Sequence, residues 1–376
     1  GASTYMKEFQ GQFGKFLHYV LAAESHPLIN LPCACGTTDS MGTPQRRTCR
    51  CNDCLFFDPC CETCFIRKHQ SSPFHWAEVW NGDFFERRDI SKLCGHVITL
   101  GHDGHGGACL NSSSSVEFIL VDLNGVHRTR LSFCECIGQS RERVDTLLDT
   151  QIFPATLGLP RMGFTFNLLK DFHLQTLTSK KSPYDYIAAI RRKTNNSFVG
   201  DVADPYPQFL RVQRVWRALM MLKRSGQVHG IDLCFPFRRP GSVSVTCFGC
   251  PEPGFNVPDE HHLNMLMLMM DGHFGLQRFS KVDDPDDVSL LEGAGFFPSD
   301  GEYSPYVQNI VATSEEKSTC SKFNALEMQN KLKFKGAVIT GVLAVECMRH
   351  VFFMSMVDLQ KGERYANADF ALAHAL

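Results

Sequence analysis

The stretch CRCNDCLFFDPCCETCFIRKHQSSPFH, residues Cys49–His75, carries two C-x-x-C pairs, Cys51/Cys54 and Cys61/Cys64, followed by His69 and His75. A C-x-x-C turn presents two sulfurs to one ion, and zinc takes four thiolate or imidazole ligands in a tetrahedron. A further pair, Cys33 and Cys35, lies just upstream. The spacing predicts two interleaved ions, one on Cys33, Cys35, Cys61 and Cys64, the other on Cys51, Cys54, His69 and His75. Cys49 and Cys60 are spare and could each replace a neighbour. A set of buried thiols or a disulfide knot is the simpler alternative, but cysteine this dense with interleaved histidine favours zinc. A segment this short and loop-rich needs a metal to fold. Such sites are closed and structural, so they position a surface and perform no chemistry.

The composition around this cluster is that of a soluble globular chain. It has 376 residues, 43% hydrophobic and 21% charged, with a net charge of -2. That length suits two or three domains. The near-neutral balance neither announces nor excludes nucleic acid, because a basic patch can sit beside an acidic one. Cysteine totals 17, an odd count clustered before residue 137, which fits metal sites in a reducing compartment better than a secreted disulfide framework. Met6–Ala23 reads as amphipathic helix and not as a signal peptide. The longest apolar run, Leu263–Met270 with Asn264 inside it, is far short of a membrane span. Nucleus or cytoplasm is expected, with no membrane association and no secretion.

Four regions follow from composition and period. Residues 1–30 read as one N-terminal helix. Residues 31–140 form the zinc-binding cysteine cluster, with β-prone runs at Phe118–Val121 and His127–Phe133. Residues 141–240 read as a helical connector, with apolar residues at helical spacing broken by prolines. Residues 241–376 show strand signals at Leu266–Asp271 and Ala337–Glu346, then a helix over Glu363–Leu376. Two further ligand sets fall in these regions. His102, Cys109, Cys134 and Cys136 bracket the β-prone runs, with His105 competing for the place of His102. Cys247-x-x-Cys250 joins Cys347-x-x-His350, with Cys320 in reserve. Three to four zinc ions are expected in all.

The order of several motifs carries a resemblance. They are PFHWAEVWNGDFF (Pro73–Phe85), LGHDGHGGAC (Leu100–Cys109), NGVHRTRLSFCEC (Asn124–Cys136), FPATLGLPRMGFTFNLL (Phe153–Leu169), VWRALMMLKRSG (Val215–Gly226), CFGCPEPGFNVP (Cys247–Pro258) and DLQKGERYANADF (Asp358–Phe370). The chain closely resembles fungal transposases of the Kyakuja–Dileera–Zisupton (KDZ) group with their CxC-type cysteine cluster. The resemblance implies a mixed α+β chain ending in an incomplete RNase H-like core. It also implies a metal-dependent DNA transposase using two Asp and one Glu, with Mg or Mn bound for phosphodiester transfer. Asp271, in LMLMMDGHFGLQRF, matches the family's first acidic residue; read alone, its Asp-Gly pair is a hairpin turn. The family's second Asp and its Glu lie beyond Leu376. Asp369 reads as a helix-face residue and Asp358 as a turn residue, so the chain as it stands is expected to be catalytically incompetent.

DNA, as transposon ends, is the expected partner. Arg214, Arg217 and Arg224 can share a helix face suited to phosphates, although a solvated face has the same pattern. The zinc cluster could read DNA or bind protein, and a non-catalytic adaptor for protein or chromatin is the alternative reading.

Overall fold

The computed structural model describes residues 2–101, 109–138, 140–235, 238–259, 265–280, 284–311, 336–360, 362 and 364–376. They form two compact units, Gly1–Gln213 and Arg214–Leu376.

The first unit opens with two helices, α1 (Ala2–Gly11) and α2 (Phe13–Ala22), where the periodicity predicts one. The break is at Gln12, whose φ of -108° and ψ of 6° leave the helical region. Gly11 and Gly14 flank it, and glycine weakens a helix on entropic grounds. No residue of α2 is buried.

The cysteine-rich segment supplies β1 (Cys49–Arg50), the short helix α3 (Glu62–Lys68), β2 (Ala77–Trp80) and β3 (Phe85–Arg88). The strands pair antiparallel in the order β1-β2-β3. Arg50 is buried and forms an ion pair with Glu78 at 2.9 Å, with its guanidinium 3.8 Å from the Phe85 ring centroid.

Next come β4 (Ile98–Leu100), β5 (Val116–Asp122), β6 (Gly125–Phe133), α4 (Arg143–Asp149), β7 (Ile152–Pro154) and β8 (Met162–Thr165). They build a mixed sheet in the order β4-β6-β5-β8-β7. The two β-prone runs become the hairpin β5–β6, with β5 longer than expected at both ends and β6 at its start. Its turn needs Gly125: at φ +150° a Cβ there would lie 2.8 Å from Thr194 Oγ1 and 3.1 Å from the Trp76 ring. The strands β7 and β8 fall inside the stretch read as helical connector and correct that reading. Each is too short to show a period of two. Gly163 admits β8 to the sheet, since a Cβ would lie 2.6 Å from Ile152 Cγ2.

Three helices complete the unit: α5 (Phe166–Ser179), α6 (Pro183–Thr194) and α7 (Tyr206–Ser225), the last crossing the division. Thr165 caps α5 and Ser182 caps α6, each accepting from the backbone N–H three residues on. Phe164, Phe172, Tyr186 and Phe209 stack among these helices, all nearly inaccessible to solvent. Each such ring contributes about 1.5–3 kcal/mol by burial. A second core is continuous from Cys33, Cys49 and Phe65 through Leu93 and Ile98 to Phe118, Leu131 and Ile152. The cysteine-rich segment and the hairpin sheet therefore share one interior.

In the second unit, β9 (Leu268–His273), β12 (Gly341–Cys347) and β13 (Phe353–Leu359) form an antiparallel sheet in the order β13-β12-β9, while β10 (Arg278–Phe279) pairs with β11 (Ala337–Ile339). The single strand expected over Ala337–Glu346 is thus two, β11 and β12. One face of the sheet, with Leu343, Val345, Val357 and Leu359, packs on Tyr303 and Val307 of the helix Asp300–Val311 and on Ala371 of the last helix, Tyr365–Ala375. Strand β9 is mostly exposed, unlike the buried strand its apolar sequence predicts. Asp358 lies within β13 and not in a turn, a second correction.

Candidate metal centres

Four groups of cysteine and histidine converge. Cys33, Cys35, Cys61 and Cys64 bring their sulfurs within 4.8 Å of one another, as do the ligand atoms of Cys51, Cys54, His69 and His75. Helix α3 explains why two groups interleave. Cys61 caps its N-terminus in an extended conformation and Cys64 lies in the first turn, while His69 follows its last residue. The five residues from Cys64 to His69, at a rise of about 1.5 Å each, set these two ligands about 7.5 Å apart along the axis, so one short helix contributes to two groups.

The distances are those of tetrahedra. Zinc–sulfur bonds of about 2.3 Å give a sulfur–sulfur edge of about 3.8 Å, and a sulfur–nitrogen edge of about 3.6 Å. Cys35 and Cys61 sulfurs are 3.7 Å apart. In the second group Cys51 Sγ is 3.7 Å from His75 Nδ1, and Cys54 Sγ is 3.5 Å from His69 Nε2. A disulfide requires about 2.05 Å, and all these cysteines are free. His69 Nδ1 donates to the Phe65 carbonyl at 2.9 Å, which leaves Nε2 to face the ion. Burial lowers the pKa of His69, which keeps it in the neutral, ligating form.

Burial acts on the thiols in the opposite sense. It pushes Cys51 and Cys61 up to about 12. Cys35 instead falls to about 6 through its hydrogen bond with the Thr37 hydroxyl. A buried thiol of this kind ionises only if a cation compensates, and metal binding releases its proton.

The spare residues Cys49 and Cys60 stand apart. They face each other across a backbone bridge with hydrogen bonds of 2.9 Å in both directions, buried in the core. Burial pushes both up to about 12, and neither belongs to any converging group among the described residues.

The third group holds Cys109, Cys134 and Cys136, with Cys109 3.6 Å from each of the other two. His102 and His105, expected to complete it, lie outside the described residues. In the second unit Cys247, Cys347 and His350 converge, and Cys250 Sγ is 3.3 Å from Cys347 Sγ. Cys247 reaches His350 Nδ1 at 3.3 Å. Against the effect of burial, hydrogen bonds from Cys250 and the His350 backbone bring Cys347 down to about 6. Gly249 shapes this knuckle, because a Cβ there would lie 2.5 Å from His350 Cε1. The reserve ligand Cys320 lies outside the described residues.

The carboxylates are arranged differently. Asp271 sits in mid-strand opposite Ala344, so the Asp-Gly pair forms no hairpin turn. Asp358 is opposite Val342, and the alternation of β12 places both aspartates on the face away from the core. Asp358 pairs with Arg278 at 3.8 Å; burial raises its pKa and Arg278 opposes the rise. Asp369 lies on the exposed side of the last helix. Among the described residues Asp271 belongs to no converging group of three ligand-type side chains.

Of the three arginines, Arg214 donates to the carbonyls of Asp286 and Val288 at 2.5 and 2.9 Å. Arg217 and Arg224 are exposed, and Trp216 is buried.

Sequence spacing missed the groups that orient the ligands. Asp53, inside the Cys51–Cys54 knuckle, accepts from Trp76 N at 2.8 Å and from Asn124 Nδ2 at 3.1 Å. It thereby ties the knuckle to the backbone after His75 and to the β5–β6 turn. Only its place between two ligands could have marked it.

Comparison with known families agrees with this arrangement. Residues 92–198 match the CxC2-like cysteine cluster associated with KDZ transposases, and residues 264–376 match the Kyakuja-Dileera-Zisupton transposase domain. No curated protein and no solved structure matches. The first two ligand groups lie before the first match, in the segment whose interior is continuous with it. Over these two segments, in this order, the chain is similar to the KDZ transposases and to the cysteine cluster associated with them.

Proposed function

We propose that this is a transposase-derived protein whose first unit is folded around structural zinc and which contacts DNA through basic side chains. The observation that carries the reading is the convergence of Cys and His into groups with tetrahedral edge lengths. Sulfur-rich ligand sets of this geometry select zinc over the harder divalent ions. Four protein ligands close each of the first two sites, so the ions there would serve as scaffold. Metal analysis of the purified chain is expected to give three to four zinc per molecule, and fewer than two would defeat the assignment.

The second unit reads as part of an RNase H-like catalytic domain, on the strength of an antiparallel three-stranded sheet followed by a helix. In that reading Asp271 is a ligand for Mg or Mn. Among the described residues Asp271 belongs to no converging group of three ligand-type side chains, so strand transfer by these residues alone is not expected.

DNA contact is assigned to Arg217 and Arg224, exposed on α7, with Arg214 holding the segment 286–288 beside them. Replacing Arg217 and Arg224 with Glu should weaken salt-sensitive binding to duplex DNA by about tenfold or more and lower the salt slope by about two. Unchanged affinity would remove this surface from the reading. One observation favours the alternative of a non-catalytic adaptor: α2 exposes Phe13, Leu17, Tyr19, Val20 and Leu21, an apolar surface suited to a protein partner.

A further inference from the structure

The N-terminal helices α1 and α2 carry a pattern that the metal groups do not use. Met6, Phe9, Phe13, Phe16 and Val20 recur at intervals of three, four, three and four residues. That is the heptad spacing by which one helix presents a continuous seam to another. The break at Gln12 does not scatter the seam. The rings of Phe9 and Phe16, one on each helix, approach to 5.9 Å and so share one side. Yet the seam faces solvent: its five side chains are 41–65% exposed. The helices are tied to the unit at their end, where Arg50 Nη1 donates to the Ala23 carbonyl at 3.0 Å.

The flanks of the seam narrow what can cover it. In a heptad pair the positions beside the seam meet across the interface, and charges there choose the partner. Here those positions hold Tyr5, Gln10, Gln12, Leu17 and Tyr19, with no charge among them, while Lys7, Glu8 and Lys15 occupy positions farther from the seam. An uncharged flank sets up no repulsion between identical helices and offers no complement to a charged foreign one. The area also fits. With Tyr5, Leu17 and Tyr19 beside the seam, and an aromatic side chain offering about 150–250 Å², the eight exposed residues leave about 1,000 Å² open per chain. A standard interface takes about 800 Å² from each partner.

We infer that α1 and α2 form the interface of a homodimer, in which each seam packs against the same seam of a second copy of this chain. The same patch serves both copies, as a two-fold axis requires. The inference rests on neither the zinc nor the DNA reading, and it places a second copy where the adaptor reading would place a foreign protein. Two heptads make a short seam, so the dissociation constant is expected on the order of micromolar.

The test is sedimentation velocity of the full zinc-loaded chain from about 1 to about 100 μM, where a monomer–dimer equilibrium is expected. Phe13→Glu puts a charge into the seam at a residue exposed in the single chain. It should raise the dissociation constant by about a hundredfold or more with folding and metal content unchanged. Lys15→Glu, off the seam, should leave the dimer as it is. Gly11→Ala/Gly14→Ala, also off the seam and with open space at both Cβ positions, should strengthen the helix across Gln12 and tighten the dimer by about tenfold. Indiscriminate apolar association would not respond to those two glycines. A monomer throughout the range would overturn the inference and leave the face to a foreign protein. A dimer that survives Phe13→Glu would place the interface elsewhere, and assembly beyond the dimer would overturn the two-fold pairing.

Discussion

The two units use cysteine at opposite ranges. In the first, each four-ligand group draws residues from a single short segment, Cys33–Cys64 or Cys51–His75. In the second, Cys247 meets Cys347 and His350 across about a hundred residues, next to a sheet with a core of its own. The entropy of closing a loop grows only slowly with its length, so range alone does not separate the cases. What separates them is the remaining structure. Residues 31–75 have one two-residue strand and one seven-residue helix, too little to fold without ions. The sheet β13-β12-β9 buries Leu343, Val345, Val357 and Leu359 completely and holds without them. On the proposed reading, metal would make the fold in one place and fasten it in the other.

Chelation should expose this difference most strongly. Structural zinc contributes on the order of 10 kcal/mol per site, so removing it should unfold residues 31–75 and strip protection from their amides in hydrogen exchange. Amides of β12 and β13 should stay protected. Equal loss in both units would erase the distinction.

Single ligands give the next largest effect. Cys51→Ser or Cys61→Ser should each lose an ion, seen by native mass spectrometry. Cys49→Ala should keep every ion and cost about 1–2 kcal/mol, the scale of a small buried truncation. Metal loss in Cys49→Ala would mean that the spare residue ligates.

In the second unit, Gly249→Ala should displace His350 and release one ion, while the thermal transition of the sheet moves by only a few degrees. A full loss of folding there would make metal as necessary in this unit as in the first.

The smallest contrast is in pH. Ligation deprotonates thiols that burial holds at about 12 in Cys51, Cys61 and Cys250, so affinity falls as pH falls. Each thiol that must ionise contributes about tenfold per pH unit. Between pH 8 and 7 the four-sulfur group, which has more thiols to ionise even with Cys35, at about 6, already charged, should therefore lose affinity more steeply than the Cys–Cys–His–His group. Parallel slopes in a competition titration would contradict the ligand sets.

Much of this arrangement is readable in the chain itself. The C-x-x-C pairs and the histidines after them are local signals, and their grouping follows because a tetrahedron accepts few combinations. The hairpin β5–β6 is readable for the same reason, since its alternation runs for several residues. What resists reading is settled by distant partners. Strands β7 and β8 are too short to carry a period and are recruited by β5. Asp358 reads as a turn residue until β12 pairs with β13.

The ends of helix α3 carry a last consequence. Cys61 and Cys64 belong to one ligand group and His69 to the other, so with both groups loaded a rigid rod would couple the two occupancies. Filling either centre fixes the rod and pre-sets the other, and an ion of larger radius in one would tilt it away from its neighbour's ligands. Loading should then be nearly all-or-none, with singly loaded molecules scarce, and a foreign metal would poison both centres by entering one.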